Sequence, residues 1–255
     1  MSPFRIKVPG KQYLIAVIVG LAAWEFGSWS YGVPALIPPV EAVFFKILSL
    51  VKSGLLPRDT FATLARVLAG YVIGSLIGAT LGVAMGQWKF VRQLLEPYVN
   101  FVRFIPGLAW ISVVMLMLGI GEVAKVSLIV YTTCTVVLVS TLAGIAAIPA
   151  AQTRAMRSFG ANDWQTFAWV FFPASIRHIL SGMRLALSTA FLTVVSAEMI
   201  VAEFGLGFLI INARLWMAMD EAFIGVIFIA LLGLLSDRLM GFLIARFAGR
   251  YYGAA

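Results

Sequence analysis

The sequence predicts an all-α membrane protein with six transmembrane helices. Three observations predict it. The 255 residues are 62% hydrophobic and only 12% charged; mean hydropathy is +0.99; and the apolar residues gather into six runs near the ~20 residues a helix needs to cross a bilayer. Ordinary soluble domains carry about twice that share of charge, so a soluble fold is excluded. All of 1–255 is accounted for as one membrane domain.

The runs can be taken in order. Gln12–Tyr31 follows Arg5, Lys7 and Lys11 and begins like a signal peptide. Its apolar stretch from Tyr13 to Trp29 is too long for one, however, and no small-residue cleavage site follows. It is therefore expected to be a retained first span, with 1–11 as a cytoplasmic segment. Pro34, Pro38, Pro39 and Pro57 separate it from Thr60–Met85. Leu94–Leu118 is expected to be a third span and Val123–Ala147 a fourth, divided by Gly119 and Gly121. Pro149 and Pro173 punctuate the approach to the fifth, Ile179–Val201, and Gly205 and Gly207 the approach to the sixth, Ala222–Arg246.

The formal charge is +8, but the basic residues are scattered between apolar runs rather than gathered into a stripe, which excludes a nucleic-acid partner. Their placement sets orientation instead, since Lys and Arg beside spans are retained in the cytoplasm. With both termini inside, the inner segments hold Arg5, Lys7, Lys11, Lys89, Arg92, Arg154, Arg157, Arg177, Arg246 and Arg250. The outer ones hold Lys46, Lys52, Arg58, Lys125 and Arg214. Cys134 is the single cysteine and lies in an apolar run, so neither a disulfide nor a thiolate metal site can form within the chain.

In the second span Gly70, Gly74, Gly78, Gly82 and Gly86 recur every fourth residue. On a helix they form one stripe without side chains, along which another backbone can approach closely in lipid. Glycine is common in membrane helices, yet five in register point to tight packing, within the chain or between copies.

The segment 148–178 reads as structured. Pro149 can open a helix over Ala150–Phe159, and Gly160 can end it in a left-handed cap. Asn162 with Gln165 makes a capping-box start for a second short helix, which Pro173 is expected to terminate. With Phe159, Trp164, Phe167, Trp169, Phe171 and Phe172 this elbow is too apolar for a solvated loop. It needs a partner surface or the membrane interface to cover it.

The elbow resembles the signature of binding-protein-dependent importer permeases, a Glu-Ala-Ala triplet with a Gly after three residues and an Ile-x-Leu-Pro ending further on. Here the register gives Arg154-Ala155-Met156, Gly160-Ala161 and Val170-Phe171-Phe172-Pro173. The spacing is kept, while the acidic position, the second Ala and the Leu differ. The chain is most similar to the nitrate, sulfonate, taurine and bicarbonate branch, through Leu36-Ile37-Pro38-Pro39, Leu64 to Tyr71, Arg103-Phe104-Ile105-Pro106, Ser181 to Ala186, Ala197-Glu198-Met199 and Gly205-Leu206-Gly207. This resemblance implies a type I ABC importer permease fold. It also implies a second copy of the chain and two cytoplasmic ATP-hydrolysing subunits, which bind ATP and Mg and receive the elbow as a coupling helix. A periplasmic or lipid-anchored solute-binding protein would deliver a small anion such as a sulfonate, nitrate, bicarbonate or organic acid. The coupling residues it implies are Arg154, Ala155, Met156, Phe159, Gly160, Ala161, Trp164 and Pro173, with Arg154 meeting an acidic group on its ATPase.

Ionisable residues inside spans are costly and often functional. Glu198 is expected near the outer mouth, bridging to a basic residue such as Arg66 or lining the path; Glu25 and Arg184 also stand within apolar runs. Arg103 either anchors a helix break or contacts the anion. Ser188, Thr189, Thr193 and Ser196 enrich the fifth span in hydroxyls, which suits a water-filled path or helix-to-helix bonding. His178, beside Arg177, is expected at the interface, and one histidine can neither build a metal cluster nor serve a catalytic arrangement. No phosphate-binding loop occurs, so ATP must be handled elsewhere and the chain is not itself expected to be an enzyme. An ATP-independent carrier or channel is the alternative, although the sequence lacks midplane acids and an inverted repeat.

Overall fold

The computed structural model describes residues 10–252; most of the segment expected at 1–11 lies outside them. Every regular element described is helical. They are α1 Gly10–Tyr31, α2 Val40–Lys52, α3 Leu55–Gln87, α4 Lys89–Val102, α5 Ile111–Leu118, α6 Glu122–Ala146, α7 Ala150–Ser158, α8 Asp163–Thr166, α9 Phe172–Val201, α10 Leu206–Leu215 and α11 Met219–Tyr252. Among the described residues five helices are long and apolar enough to cross a membrane, and α4 with the Gly107–Leu118 stretch, bent by 91°, is a broken span or a re-entrant loop that brings the number to six if it counts as one crossing.

The bend falls within the third span expected at Leu94–Leu118, next to Arg103. Pro106 takes extended geometry at φ −65°, ψ 144° and starts a 3₁₀ turn at Gly107–Trp110 that leads into α5. The break leaves carbonyls without helical partners, and Tyr131 of α6 satisfies two of them: its hydroxyl lies 2.9 Å from both the Val102 and the Ile105 oxygen.

One correction concerns Pro173. It does not end the second elbow helix but lies within the helical path that enters α9, where its missing N–H leaves out one helical bond directly after the π-helical turn. α8 continues through a π-helical turn at Phe167–Phe171 directly into α9, so one helical path runs from Asp163 to Val201.

The bundle is organised around α3, α6 and α9. The five glycines of α3 lie against Ile129, Thr133, Val137, Thr141 and Ile145 of α6, also every fourth residue. The two helices run parallel and nearly touch. A Cβ on Gly78 would stand 2.5 Å from the Cys134 carbonyl oxygen, and one on Gly74 would stand 2.7 Å from that of Val130. α9 packs antiparallel on the other side of α6, where Gly182 makes room for Ser140 and Gly144 for the His178 ring. His178 thus packs between α9 and the elbow end of α6. Val67, Tyr71, Ile129, Val137, Leu187 and Val194 fill the centre.

Two shorter helices close the end of the bundle opposite the elbow. α2 starts after Pro39, and Glu25 of α1 accepts the Val40 N–H at 3.0 Å, neutralising an orphan donor at that helix start. Trp24 Nε1 donates to Pro38 O and Ser28 Oγ to Ile37 O, fastening the same turn. α10 joins α2 and the start of α3 through Val43, Leu50, Leu56, Leu206, Leu209 and Ile224.

Candidate functional site

At one end of the bundle the elbow stands clear of the spans. Pro149 precedes α7, and Gly160, at φ 78°, ends it. The Ala161 N–H then reaches back to Met156 O at 3.1 Å and the Gly160 N–H to Arg157 O at 3.0 Å, which spends the orphan carbonyls of the helix end. Asn162 Oδ1 accepts the Gln165 N–H at 2.8 Å while Gln165 Oε1 accepts the Asn162 N–H at 2.9 Å, so the next helix is capped reciprocally. Buried Thr166 donates to Asn162 O. These bonds tie the corner to the helices on both sides of it.

Its outer surface is the opposite of a solvated turn. Phe159 is 87% exposed, Trp169 76% and Trp164 66%. A groove of 360 Å³ is lined by Met156, Phe159, Gly160, Ala161, Gln165 and Trp169. Of the implied coupling residues the fold brings Met156, Phe159, Gly160 and Ala161 together there. Arg154, Ala155 and Trp164 are exposed around it, and Pro173 lies beyond it in α9. Gln165 and Trp169 join the groove because helical spacing of four stacks them on one face.

A buried polar network occupies the other end. Arg66 of α3, 3% exposed, donates Nε and Nη2 as a fork to Glu122 at 2.6 and 2.7 Å, and Nη1 to Glu198 at 2.6 Å and Phe204 O at 2.9 Å. Glu198, with no exposed surface, also accepts from the Thr63 hydroxyl and from the Gly207 N–H at 2.9 Å. Thr63 in turn accepts the Leu206 N–H. Lys125 closes on Glu122 at 2.9 Å, and Arg66, Lys125 and Arg58 stand within 5.7 Å of the Phe204 ring centre. Gly205, at φ 124°, leaves no space for a side chain: a Cβ there would lie 2.6 Å from the Glu198 carboxyl carbon. Buried charges need this degree of pairing and bonding to be tolerated. The network joins α3, α6, α9 and the turn into α10. Thr63 and Glu122 were not singled out in the sequence, although Thr63-x-x-Arg66 and Glu122-x-x-Lys125 each put two polar groups on one face of an apolar helix.

The fifth-span hydroxyls are turned mostly to their own backbone. Thr193, 8% exposed, donates to Thr189 O at 2.9 Å and sits 3.2 Å from Thr132 Oγ1. Thr189 donates to Ala186 O and Ser196 to Leu192 O. Arg103 is exposed at the break between α4 and α5, its guanidinium 4.8 Å from the Phe104 ring centre. Arg184 of α9 and Asp237 of α11 form a forked pair with both distances 2.6 Å. Among the described residues no group of three or more His, Cys, Asp or Glu side chains could hold a metal ion.

Residues 61–249 match the family described as the binding-protein-dependent transport system inner membrane component. The chain is 31% identical to the taurine transport system permease protein TauC of Escherichia coli, over 84% of its own length and 80% of that protein. It is also 31% identical to the nitrate import permease protein NrtB of a Synechocystis strain, over 72% of its length and 66% of that protein. In fold it resembles a chain of the MetNI methionine ABC transporter in an inward-facing conformation, with a TM-score of 0.60 at 21% identity, covering 74% of this chain and 96% of that one.

Proposed function

Because the chain belongs to the family of binding-protein-dependent transport system inner membrane components, we propose that it forms the translocation path of an ATP-binding-cassette importer for a small oxyanion such as a sulfonate or nitrate. The elbow carries this reading. A twice-capped, apolar corner outside the lipid-spanning bundle must be covered, and its helical continuity from Asp163 to Val201 lets whatever grips it move α9 as a rigid body.

In this reading two copies of the chain assemble with two cytoplasmic subunits that bind ATP and Mg and hydrolyse the nucleotide. A periplasmic or lipid-anchored binding protein delivers the solute to the opposite end. Both termini and the elbow lie in the cytoplasm of a prokaryotic inner membrane, an orientation supported by Lys89, Arg92, Arg154, Arg157 and Arg177 at the elbow end. Similarity to taurine and nitrate permeases supports an anionic cargo.

The test is affinity purification of the full chain from its native membranes, with co-purifying polypeptides assayed for ATP hydrolysis. A soluble ATPase that accompanies the wild-type chain and is released by Phe159→Asp is expected. A chain that purifies alone and moves taurine or nitrate in proteoliposomes without nucleotide overturns the proposal.

A further inference from the structure

α4 carries a polar stripe that its own chain leaves uncovered. Lys89, Arg92, Gln93, Glu96, Asn100 and Arg103, advancing by ~100° per residue, fall within an arc of ~100° that contains no apolar side chain. Val91, Leu95, Val99 and Val102, all half-buried, fill the adjoining arc, and Phe90, Leu94 and Phe101 are exposed on the third. One face is therefore turned to the bundle, one is suited to lipid and one is suited to water.

The depth of this helix decides what the stripe can meet. Tyr98 and Val99 share a groove with Cys134 and Leu138, while Val102, further along α4, is bonded by Tyr131, which comes earlier in α6. α4 thus climbs antiparallel along α6 from the elbow end. Its 14 residues rise ~21 Å, and the 14 steps of α6 from Tyr131 to Ile145 also span ~21 Å. Gly86, three residues before Lys89, lies against Ile145 of α6, so α4 rises beside the stretch of α6 between Ile145 and Tyr131, and a polar stripe alongside that span cannot face hydrocarbon.

Resting on the anion-permease reading above, we infer that the α4 stripe lines the water-filled route by which a small oxyanion leaves toward the elbow end, with Arg103 at the helix break as the first cation it meets. The charge balance favours an anion. Arg92 pairs with Glu96 at 3.2 Å, which leaves Lys89 and Arg103 as net positive charge along the route. The Arg103 fork has the geometry for two oxygens of a sulfonate, nitrate or carboxylate.

The test uses the full complex in inside-out vesicles, with Cys134→Ala removing the only cysteine and single cysteines introduced along α4. The probe is the membrane-impermeant anionic reagent sulfonatoethyl methanethiosulfonate. Gln93→Cys and Asn100→Cys are expected to react, and Leu94→Cys and Phe101→Cys, one position round the helix, to remain unmodified. Asn100→Cys should prefer the anionic reagent over its trimethylammonium counterpart by about ten-fold, the focusing a cationic cleft supplies, and Arg103→Gln should abolish that preference. Silence at 93 and 100 means a dry contact with a second copy and overturns the inference. So does equal reaction at 94 and 101, or a preference indifferent to Arg103→Gln. None of these outcomes alters retention of the ATPase, so a failed stripe is told apart from a failed permease reading, in which the chain purifies alone.

Discussion

Arg66 Nη1 lies 2.6 Å from the Glu198 carboxylate, and neither side chain is more than 3% exposed. The two residues are 132 positions apart in the chain, on helices that meet only once the bundle is assembled. Removing one partner strands the other without water. Arg66→Ala is therefore expected to destabilise by about 3–5 kcal/mol, whereas Arg66→Met combined with Glu198→Leu should recover much of the loss. Thermal unfolding in detergent checks this, and a double variant no better than the single one would count against it.

The glycine contacts of α3 are graded by what each faces. At Gly78 and Gly74 the obstacle is backbone of α6, which cannot swing aside, so Gly78→Val should cost about 1–3 kcal/mol or more through overpacking. Gly20→Ala in α1 meets nothing within 4 Å and should leave the unfolding midpoint unchanged.

Tyr131→Phe removes only the hydroxyl that serves Val102 O and Ile105 O. The expected loss is about 1–3 kcal/mol, the penalty for buried acceptors left unpaired, with faster hydrogen exchange confined to 102–107. Unchanged exchange there would show that the break holds itself.

The elbow predictions separate stiffness from contact. Gly160→Val opposes φ 78° and should cost about 1–2 kcal/mol locally; Asn162→Ala should cost about 0.5–2 kcal/mol through the lost cap. Both should weaken ATPase retention with no loss of membrane insertion. Arg154→Glu leaves the backbone intact and tests polarity alone: reduced retention is expected, and unchanged assembly and stimulated hydrolysis would remove any ion pair between Arg154 and its ATPase.

The Lys46 ammonium, outside the spans, is held above its ordinary range by its hydrogen bond to Glu221, against a desolvation cost and with help from Asp220. A cation with a raised folded value stabilises fully below its unfolded pKa of about 10.4 and loses that contribution as pH rises through the folded value. The α2–α11 bridge should thus be indifferent to pH between about 6 and 9. At this exposure it contributes about 1 kcal/mol or less. Lys46→Gln should lower the unfolding midpoint slightly at neutral pH and flatten the alkaline decline.

The elbow was legible because its signals are local. Pro149, Gly160, Asn162 and Gln165 act within four residues of themselves, so caps and corner follow from composition and spacing. Pro173 differs from expectation for the same reason: a proline that ends a helix and a proline carried inside a continuing one look alike in sequence. Only the continuous path from α8 into α9 distinguishes them. The bend after Val102 is similar. Arg103 to Pro106 marks a weak point, but whether the helix breaks there depends on a partner for the freed carbonyls, and that partner is Tyr131 from another span.

The sequence by itself determined that this chain lives in a membrane, how many times it can cross, where its stiff corner lies and which helix face is free of side chains. These follow from hydropathy, helical periodicity and capping chemistry, which act over a few turns of one segment. Only the tertiary structure decided that the α3 glycines face α6, that Glu198 is sealed against Arg66, Thr63 and Gly207, and that α4 turns back alongside α6. In lipid the apolar faces of all spans are alike to the solvent. Which helix meets which is settled by close packing and by the pairing of buried polar groups, and both are properties of the assembled bundle.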